Sequence, residues 1–184
     1  LIIQSTGGGG SFRLAGSTSP VVNITGNLQI DAAGTLNFSG STGNPVVNVL
    51  GNVINAGTLQ PAITGSVVTN LNIEGNWTNT GTFTAGSGST LTMNGVNPQT
   101  MIGSTFNNLI IDNPTTVTLN SVETITNNLS ITTGSKLNLS TLTHNAGTLR
   151  LGGAGTASGS WGSSSSGATH QNDTYFAVTS GSVT

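Results

Sequence analysis

Short alternating runs of apolar and polar residues recur along most of this chain. In each run, Val, Ile or Leu alternates with Thr, Asn or Ser, as in Val22–Thr25, Leu71–Glu74 and Thr90–Asn94. A period of two is typical of a β-strand with one buried face and one solvated face. Gly, Asn and Ser separate the runs and supply turns, including those that need a positive φ. Since these residue types are also poor helix formers, the pattern predicts an all-β protein of short strands.

A degenerate repeat of roughly two dozen residues organises these runs. Its recurring turn residues are the Gly-Asn pairs Gly26-Asn27, Gly51-Asn52 and Gly75-Asn76, and the first residues of Gly-Thr-Leu or Gly-Thr-Phe at Gly34, Gly57, Gly81 and Gly147. Repeats of roughly 20 to 50 residues indicate solenoids, propellers or arrays. Three short strands with tight turns fill one such repeat. The repeat therefore predicts a single-stranded parallel β-helix, a β-solenoid, with about seven or eight coils of roughly 24 residues.

Stacked coils would place equivalent residues about 4.8 Å apart. Asn side chains at equivalent positions would then hydrogen-bond along the rod and stabilise it. The Gly-Asn pairs stop after Asn76, and we expect a longer turn at Val96–Ser104.

The repeat divides the chain into two regions. We expect β-solenoid coils over residues 1–151, followed by a Gly- and Ser-rich loop and a terminal strand over residues 152–184. The second region would form a cap or a junction to a further module. No charged or Pro-bearing cap protects the two chain ends, and open solenoid ends invite pairing with a neighbour. The possible assembly ends are Leu1, Ile2, Ile3, Val178 and Val183.

The composition excludes several classes of partner. Of the 184 residues only 4% are charged, the net charge is −2, and there is no Cys. Nucleic-acid binding needs clustered Lys and Arg, but the three basic residues, Arg13, Lys136 and Arg150, are far apart. No apolar stretch approaches the roughly 18 residues of a membrane helix. We therefore expect no nucleic-acid partner and no membrane insertion.

Candidate catalytic chemistry is sparse. The acidic residues are Asp31, Glu74, Asp112, Glu123 and Asp173. A glycoside hydrolase needs two carboxyl groups about 5 to 10 Å apart, and the coil register leaves only Asp112 and Glu123 as candidate neighbours. His144 and His170 lack the spacing of metal ligands. The sequence therefore predicts no catalytic, cofactor-binding or metal-binding residue, no cofactor and no enzyme activity.

A binding module is the alternative class of function. Thr-x-Thr pairs start at Thr82, Thr90, Thr116, Thr124 and Thr141, and a flat Thr face could bind ice. The intervals between successive pairs are unequal and do not follow the coil, so a single aligned Thr face is not expected. For glycan binding the aromatic residues matter. Trp77 takes the repeat position of Leu28 and Val53 and is predicted to lie in the core, which leaves Trp161 as the possible ligand contact.

Part of the chain resembles repeats of large secreted surface proteins of Bacteroidota. The likeness is carried by Gly75–Gly88 (GNWTNTGTFTAGSG), Thr90–Gly95, Gln99–Ser104, Phe106–Ile111 and Asn127–Ile131. It extends over about two-thirds of the chain, from Val21 to Leu151. The resemblance implies a parallel β-helix, an extracellular location and a role as an adhesin or fibre. It implies no catalytic residue.

These observations predict a secreted structural or adhesive module of an extracellular filament or cell-surface adhesin. The module would assemble through its solenoid ends with other copies of itself or with adjacent modules of the same chain. Glycans or other surfaces are further expected partners. The alternatives are an ice- or glycan-binding β-solenoid and, least favoured, a polysaccharide-degrading enzyme.

Overall fold

Every regular element that the structure describes is a β-strand. The structure is a computed structural model that describes residues 1–4, 19–38, 44–60 and 68–184 and the backbone of residues 12–13. Within these ranges no helix is present that could cross a lipid bilayer.

The described strands are short and follow one another closely along the chain. In chain order they are β1 (Ile2–Ile3), β2 (Phe12–Arg13), β3 (Val21–Ile24), β4 (Leu28–Ile30), β5 (Thr35–Asn37), β6 (Val46–Val49), β7 (Val53–Asn55), β8 (Thr58–Gln60), β9 (Asn70–Ile73), β10 (Trp77–Asn79), β11 (Thr82–Phe83), β12 (Thr90–Met93), β13 (Gln99–Ile102), β14 (Thr105–Ile111), β15 (Val117–Leu119), β16 (Thr124–Ile131), β17 (Leu137–Asn138), β18 (Thr143–Leu151), β19 (Ala154–Gly155), β20 (Trp161–Gly162), β21 (His170–Gln171) and β22 (Ser182–Val183).

These strands stack into three sheets that wind around one core. Sheet A runs β1-β4-β7-β10-β13-β15-β17, and sheet B runs β2-β5-β8-β11. Sheet C runs from β3 through β6, β9, β12, β14 and β16 to β18, and continues into the carboxyl-terminal strands β22, β20 and β21. Neighbouring strands from β1 to β18 pair in parallel within each sheet. This arrangement confirms the predicted parallel β-helix.

The coils shorten along the rod. One inward-facing column of sheet C consists of Ile24, Val49, Ile73, Met93, Ile111, Ile131 and Leu151. The first two steps of this column have the expected coil length, and every later step is shorter. Hydrogen-bonded partners on neighbouring coils show the same change, since Asn23 and Asn48 are 25 residues apart, whereas Asp112 and Thr132 are 20 residues apart. The protein has about six turns, fewer than the seven or eight expected, because residues 152–184 form short strands over β18 and add no further regular coil.

The shortening comes from the connection between sheets B and C. In the first coil β5 ends at Asn37 and β6 begins at Val46, so a connecting segment separates the two faces. From β14 onwards a single long strand covers both faces, with a register shift between Phe106 and Asn108. The prediction of a longer turn over Val96–Ser104 was wrong in part, because Gln99–Ile102 forms β13 of sheet A.

An aromatic cluster fills the core where the coil changes size. Trp77, Phe83 and Phe106 lie with ring centroids 4.9 to 5.7 Å apart, mostly edge to face. Trp77 is fully buried and stacks on Val53, as its place in the repeat predicts. Its indole N–H donates to Ser104 Oγ at 3.1 Å. Sheet B ends with β11 at this level, where the three rings fill much of the core.

The Gly-Asn turns form a ladder along the rod, as the repeat predicts. The side-chain Oδ1 of Asn27 accepts a hydrogen bond from the backbone N–H of Asn52 at 2.9 Å. Asn52 does the same for Asn76, and Asn76 for Thr100, both at 2.8 Å. Each turn is thus held by the Asn of the coil before it, which satisfies an amide that would otherwise lack a partner.

The repeat glycines other than Gly26 are required by close contact between coils and not by backbone conformation. None of Gly26, Gly51, Gly75, Gly34, Gly57, Gly81 and Gly147 has a positive φ, contrary to the reason that the sequence suggests. A Cβ on Gly75 would lie 2.4 Å from the carbonyl of Gly51, and one on Gly81 would lie 2.2 Å from the carbonyl oxygen of Gly57. Stacked turns therefore leave no room for a side chain.

Residues 152–184 cover the carboxyl-terminal end of the rod. β19 folds back antiparallel onto Arg150 and Leu151, while β22 continues the parallel stack on Thr143 and His144. On sheet A, Phe176 lies over Leu137 through a parallel bridge. Phe176 is fully buried and Val183 is 2% exposed, so this region closes the core as a cap.

Glu123, in the turn before β16, and His144, in β18, are buried together below this cap. The Glu123 carboxylate accepts hydrogen bonds from Ser121 Oγ at 2.6 Å, Ser104 N at 2.7 Å and Gly103 N at 3.0 Å. Burial raises the pKa of Glu123, and these donors offset part of that rise. His144 accepts from the backbone N–H of Glu123 through Nδ1 at 3.1 Å, and burial lowers its pKa. Both groups therefore stabilise turns and face no solvent.

The first prediction concerns the stacked glycines. We expect Gly75→Ala to lower the free energy of unfolding by about 2–3 kcal/mol, because the new methyl group meets the backbone of Gly51. Gly26→Ala is the matched control, since a Cβ at Gly26 has no atom within 4 Å. Urea unfolding followed by circular dichroism measures both. Equal losses in the two variants would contradict the close-contact explanation.

The second prediction concerns the buried carboxyl group of Glu123. Its raised folded-state pKa means that its stabilising contribution is fully present below the ordinary pKa and is lost as the pH rises through the folded-state value. Glutamine cannot ionise. We therefore expect the stability of the wild type relative to Glu123→Gln to fall as the pH rises above about 4.3, the ordinary pKa of a glutamic acid side chain.

Unfolding curves across that pH range measure this difference. Glu74→Gln, at an exposed carboxyl group, controls for the removal of one negative charge. A difference between wild type and Glu123→Gln that stays constant or grows with pH would show that burial does not govern this group.

Candidate ligand-binding groove at the cap

A groove of about 490 Å³ lies between the last coil and the cap. One wall is residues 146–150 of β18, and the other is the segment 155–159 that follows the turn into β19. Trp161, Val183 and Thr184 complete the lining. The groove exists because the cap pairs with β18 at both ends of that strand and leaves its middle uncovered.

The two ends of the groove are fixed by backbone hydrogen bonds. At one end Thr156 N donates to the Leu149 carbonyl at 3.2 Å, and at the other Ala146 N donates to the Thr184 carbonyl at 2.7 Å. The walls between these bonds consist mainly of Gly, Ala, Ser and Thr. Such small side chains leave the backbone and the indole of Trp161 as the main surfaces of the groove.

Trp161 is held rigidly in this lining. Its ring stacks on the imidazole of His170, with centroids 4.6 Å apart and planes 23° apart. Its indole N–H donates to the Ala157 carbonyl at 3.0 Å. His170 is itself fixed, since its ring Nε2 lies 3.2 Å from the Ser158 carbonyl. One face of the indole is therefore occupied, its polar atom is satisfied, and the half-exposed ring lines the groove.

Arg150 is the charged side chain of the groove. It is exposed, and among the described residues its guanidinium has no hydrogen-bond or ion-pair partner. Lys136 differs, because its charge contributes to the lowered pKa of Asp173. The main cause of that lowered pKa is the Ser164 backbone N–H, which donates to the Asp173 carboxylate at 2.7 Å. An exposed guanidinium in the same groove as a fixed indole can bind an anionic group.

Asp112 and Glu123, the candidate acidic pair of the sequence, lie in different turns. Asp112 lies in the turn before β15, where its carboxylate accepts from Thr132 Oγ1 at 2.7 Å. Glu123 lies in the turn after β15, and its carboxylate accepts hydrogen bonds from backbone amides of the preceding coil. Asp31 accepts from Gln29 and Gln4, which lowers its pKa. Among the described residues no group of three or more His, Cys, Asp and Glu side chains could hold a metal ion.

The Thr-x-Thr pairs are distributed over different faces of the rod. Thr82 belongs to sheet B, Thr90 and Thr92 to sheet C, and Thr118 to sheet A. The longest described Thr column is Thr35, Thr58 and Thr82 on sheet B. As the irregular spacing predicts, the five pairs do not align into one Thr face.

The predicted assembly ends differ in their exposure. Ile2 is 59% and Val178 is 61% exposed, and Leu1 is also exposed. Ile3 is buried against the first full coil, where its carbonyl accepts from Asp31 N at 2.9 Å. Val183 was misassigned as an open end, because it pairs over His144 inside the cap. The sequence pattern alone suggests an unpaired edge strand at Val183. It does not show that this strand pairs with β18 and is covered by the rest of the cap.

Trp161, the possible ligand contact in the sequence, lines this groove, but the sequence gives no sign of the other lining residues. Arg150 and the residues 146–149 carry the ordinary alternation of a strand, so nothing in their pattern marks a surface. The segment 155–159 is only Gly, Ala, Ser and Thr. The groove depends on where the cap folds back, which is a tertiary feature that the repeat does not encode.

Comparisons with known proteins complete this description. A scan against protein-family models, a search of curated proteins and a search of solved structures each found no match. The function is therefore argued from the fold, the two ends of the rod and the groove.

Proposed function

We propose that this chain is a structural or adhesive module of an extracellular fibre or cell-surface adhesin. The observation that carries the proposal is the difference between the two ends of the rod. One end is closed by the cap, whereas the other, among the described strands, ends in the edges of β1, β2 and β3. Among the described strands these edges have no further partner, and an unpaired strand edge can pair with a second chain or module.

The rod itself supports a mechanical role. Backbone ladders run through all three sheets, and side-chain ladders reinforce them on the outside. On sheet C, Asn48 Nδ2 donates to Asn23 Oδ1 at 2.7 Å, and Asn72 Nδ2 donates to Asn48 Oδ1 at 2.8 Å. Such ladders hold neighbouring coils together without disulfides, and the sequence contains no Cys.

The outer surface also suits an exposed, extended protein. Outward positions on sheets A and C are mainly Thr, Asn, Ser and Gln, with few charges. Interactions of an uncharged surface change little with salt, because there are few ion pairs to screen. Together with the resemblance to repeats of Bacteroidota surface proteins, this surface supports an extracellular location.

The amino-terminal edge is the proposed assembly surface. At β3 the carbonyls of Pro20 and Ile24 accept from Val46 N and Leu50 N, at 2.9 Å each. Because successive residues of a strand point their backbone groups to opposite sides, those of Val21 and Asn23 face the free edge of sheet C. No described strand pairs with that edge. Strand edges with exposed apolar side chains such as Ile2 and Val21 pair readily with another chain or module.

The third prediction tests assembly through this edge. We expect the chain to self-associate at high concentration, and Val21→Lys to weaken the association by about tenfold or more, because a charged side chain on an edge strand opposes pairing. Val122→Lys is the matched control, since Val122 is 54% exposed in a turn away from the amino-terminal edge. Sedimentation equilibrium measures the association constants.

Electron microscopy of the same samples supplies the geometry. Fibres with an axial repeat of about one module would support the proposal; the six steps of this rod amount to roughly 29 Å plus the cap. Monomeric rods at every concentration, or equal effects of the two lysine variants, would count against assembly through the amino-terminal edge.

A glycan-binding role is the second candidate, and the groove at the cap is the observation that favours it. The fixed indole of Trp161 offers an apolar ring face within an otherwise polar lining. Ice binding has less support, because the Thr pairs lie on different faces. A module can be adhesive through the groove and structural through its edge, since the two features lie at opposite ends.

A further inference from the structure

We propose that the groove at the cap binds an acidic saccharide, with a sugar ring against Trp161 and its carboxylate on Arg150. This inference deepens the proposed adhesive function and rests on it, by naming the class of ligand that the module would hold. The groove of about 490 Å³ lies within the roughly 300–1,000 Å³ that is usual for small-ligand sites.

Trp161 supplies the apolar surface for the sugar ring. Aromatic side chains at recognition sites pack an apolar face against the ligand while the polar atom keeps a partner. Here that partner is already inside the protein, because the indole N–H donates to the Ala157 carbonyl at 3.0 Å. The stack on His170 and the contact of His170 with Ser158 hold the ring in one orientation. Little conformational entropy would therefore be lost on binding.

Arg150 supplies the specificity for an acid. A guanidinium recognises a carboxylate with two parallel hydrogen bonds, and such charge-assisted bonds are stronger than neutral ones. Among the described residues the Arg150 side chain has no partner that would compete with a ligand. Its position in β18 is also fixed, since it pairs with Ser130 on one side and Gly155 on the other.

The groove is better suited to a saccharide than to an added peptide strand. Its long wall is the edge of β18, where a strand could in principle pair. That edge is already bonded at Leu149 and at Ala146, so only two residues, Gly147 and Thr148, lie between the cap's own hydrogen bonds. This length leaves an added peptide few backbone groups to pair with, whereas a ring with hydroxyl groups fits a wall of backbone atoms and small hydroxyl side chains.

Isothermal titration calorimetry with a matched pair of probes tests this proposal. The acidic probe is tetragalacturonate, and the neutral probe is its methyl ester, which has the same backbone without the charge. We expect the wild-type chain to bind the acid at least tenfold more tightly than the ester. Arg150→Gln should remove that preference, and Lys136→Gln, which changes a cation outside the groove, should preserve it.

Two variants at Trp161 test the ring contact. We expect Trp161→Ala to abolish detectable binding of both probes, and Trp161→Phe, which keeps an aromatic ring beside His170, to retain binding of the acid within about tenfold. Thermal unfolding shows whether each variant is folded, and the Arg150→Gln result stands independently, because that exposed residue can be changed without disturbing the core.

The proposal is overturned if the wild type binds neither probe, if Trp161→Ala binds as the wild type does, or if acid and ester bind equally. Sedimentation of the same variants separates this result from the proposed function. Trp161→Ala should self-associate like the wild type. A wild type that associates but binds neither probe overturns the groove proposal alone, whereas a wild type that binds the acid but does not associate overturns the structural role alone.

Discussion

The contact between equivalent residues of successive coils is the constraint on which this structure depends. A parallel ladder repeats about every 4.8 Å, and at that spacing each residue meets its own counterpart above and below. Gly75 must be small because it lies against the backbone of Gly51, and Asn52 is held because Asn27 accepts its amide hydrogen. The contact between counterparts therefore favours the same type of residue at equivalent positions of successive coils. A repeat in sequence is the direct consequence.

This constraint explains which parts of the fold could be predicted. The alternation of Val, Ile and Leu with polar residues predicted the parallel β-helix, and the repeat position of Trp77 predicted its burial. The change in coil length could not be predicted, because the Gly-Asn pairs stop after Asn76 and the later coils are defined only by the register of their strands. The role of the repeat glycines was also missed, since a sequence does not distinguish a glycine needed for the conformation of a turn from one needed for close contact between coils.

The candidate site illustrates the same limit at the end of the rod. Trp161 could be selected because an aromatic residue within a Gly- and Ser-rich stretch has no place in the core pattern. Arg150 could not, because a charged residue at an outward position of a strand is ordinary. Only the return of the chain over β18 brings Arg150 and Trp161 to one groove. The cap thus converts an edge strand, which would otherwise invite association, into a shaped surface.

The unequal coils have a consequence for how such a rod would respond to force. Each coil contacts only its neighbours, so tension along the axis acts on one coil junction at a time. Unravelling would then proceed in discrete steps, each of which releases the chain of a single coil. Fully extended, the chain of one coil is on the order of 60 to 85 Å long. The protein would lengthen by several times its own axial dimension while most of its coils stayed folded, and it would absorb mechanical work instead of breaking at a single point.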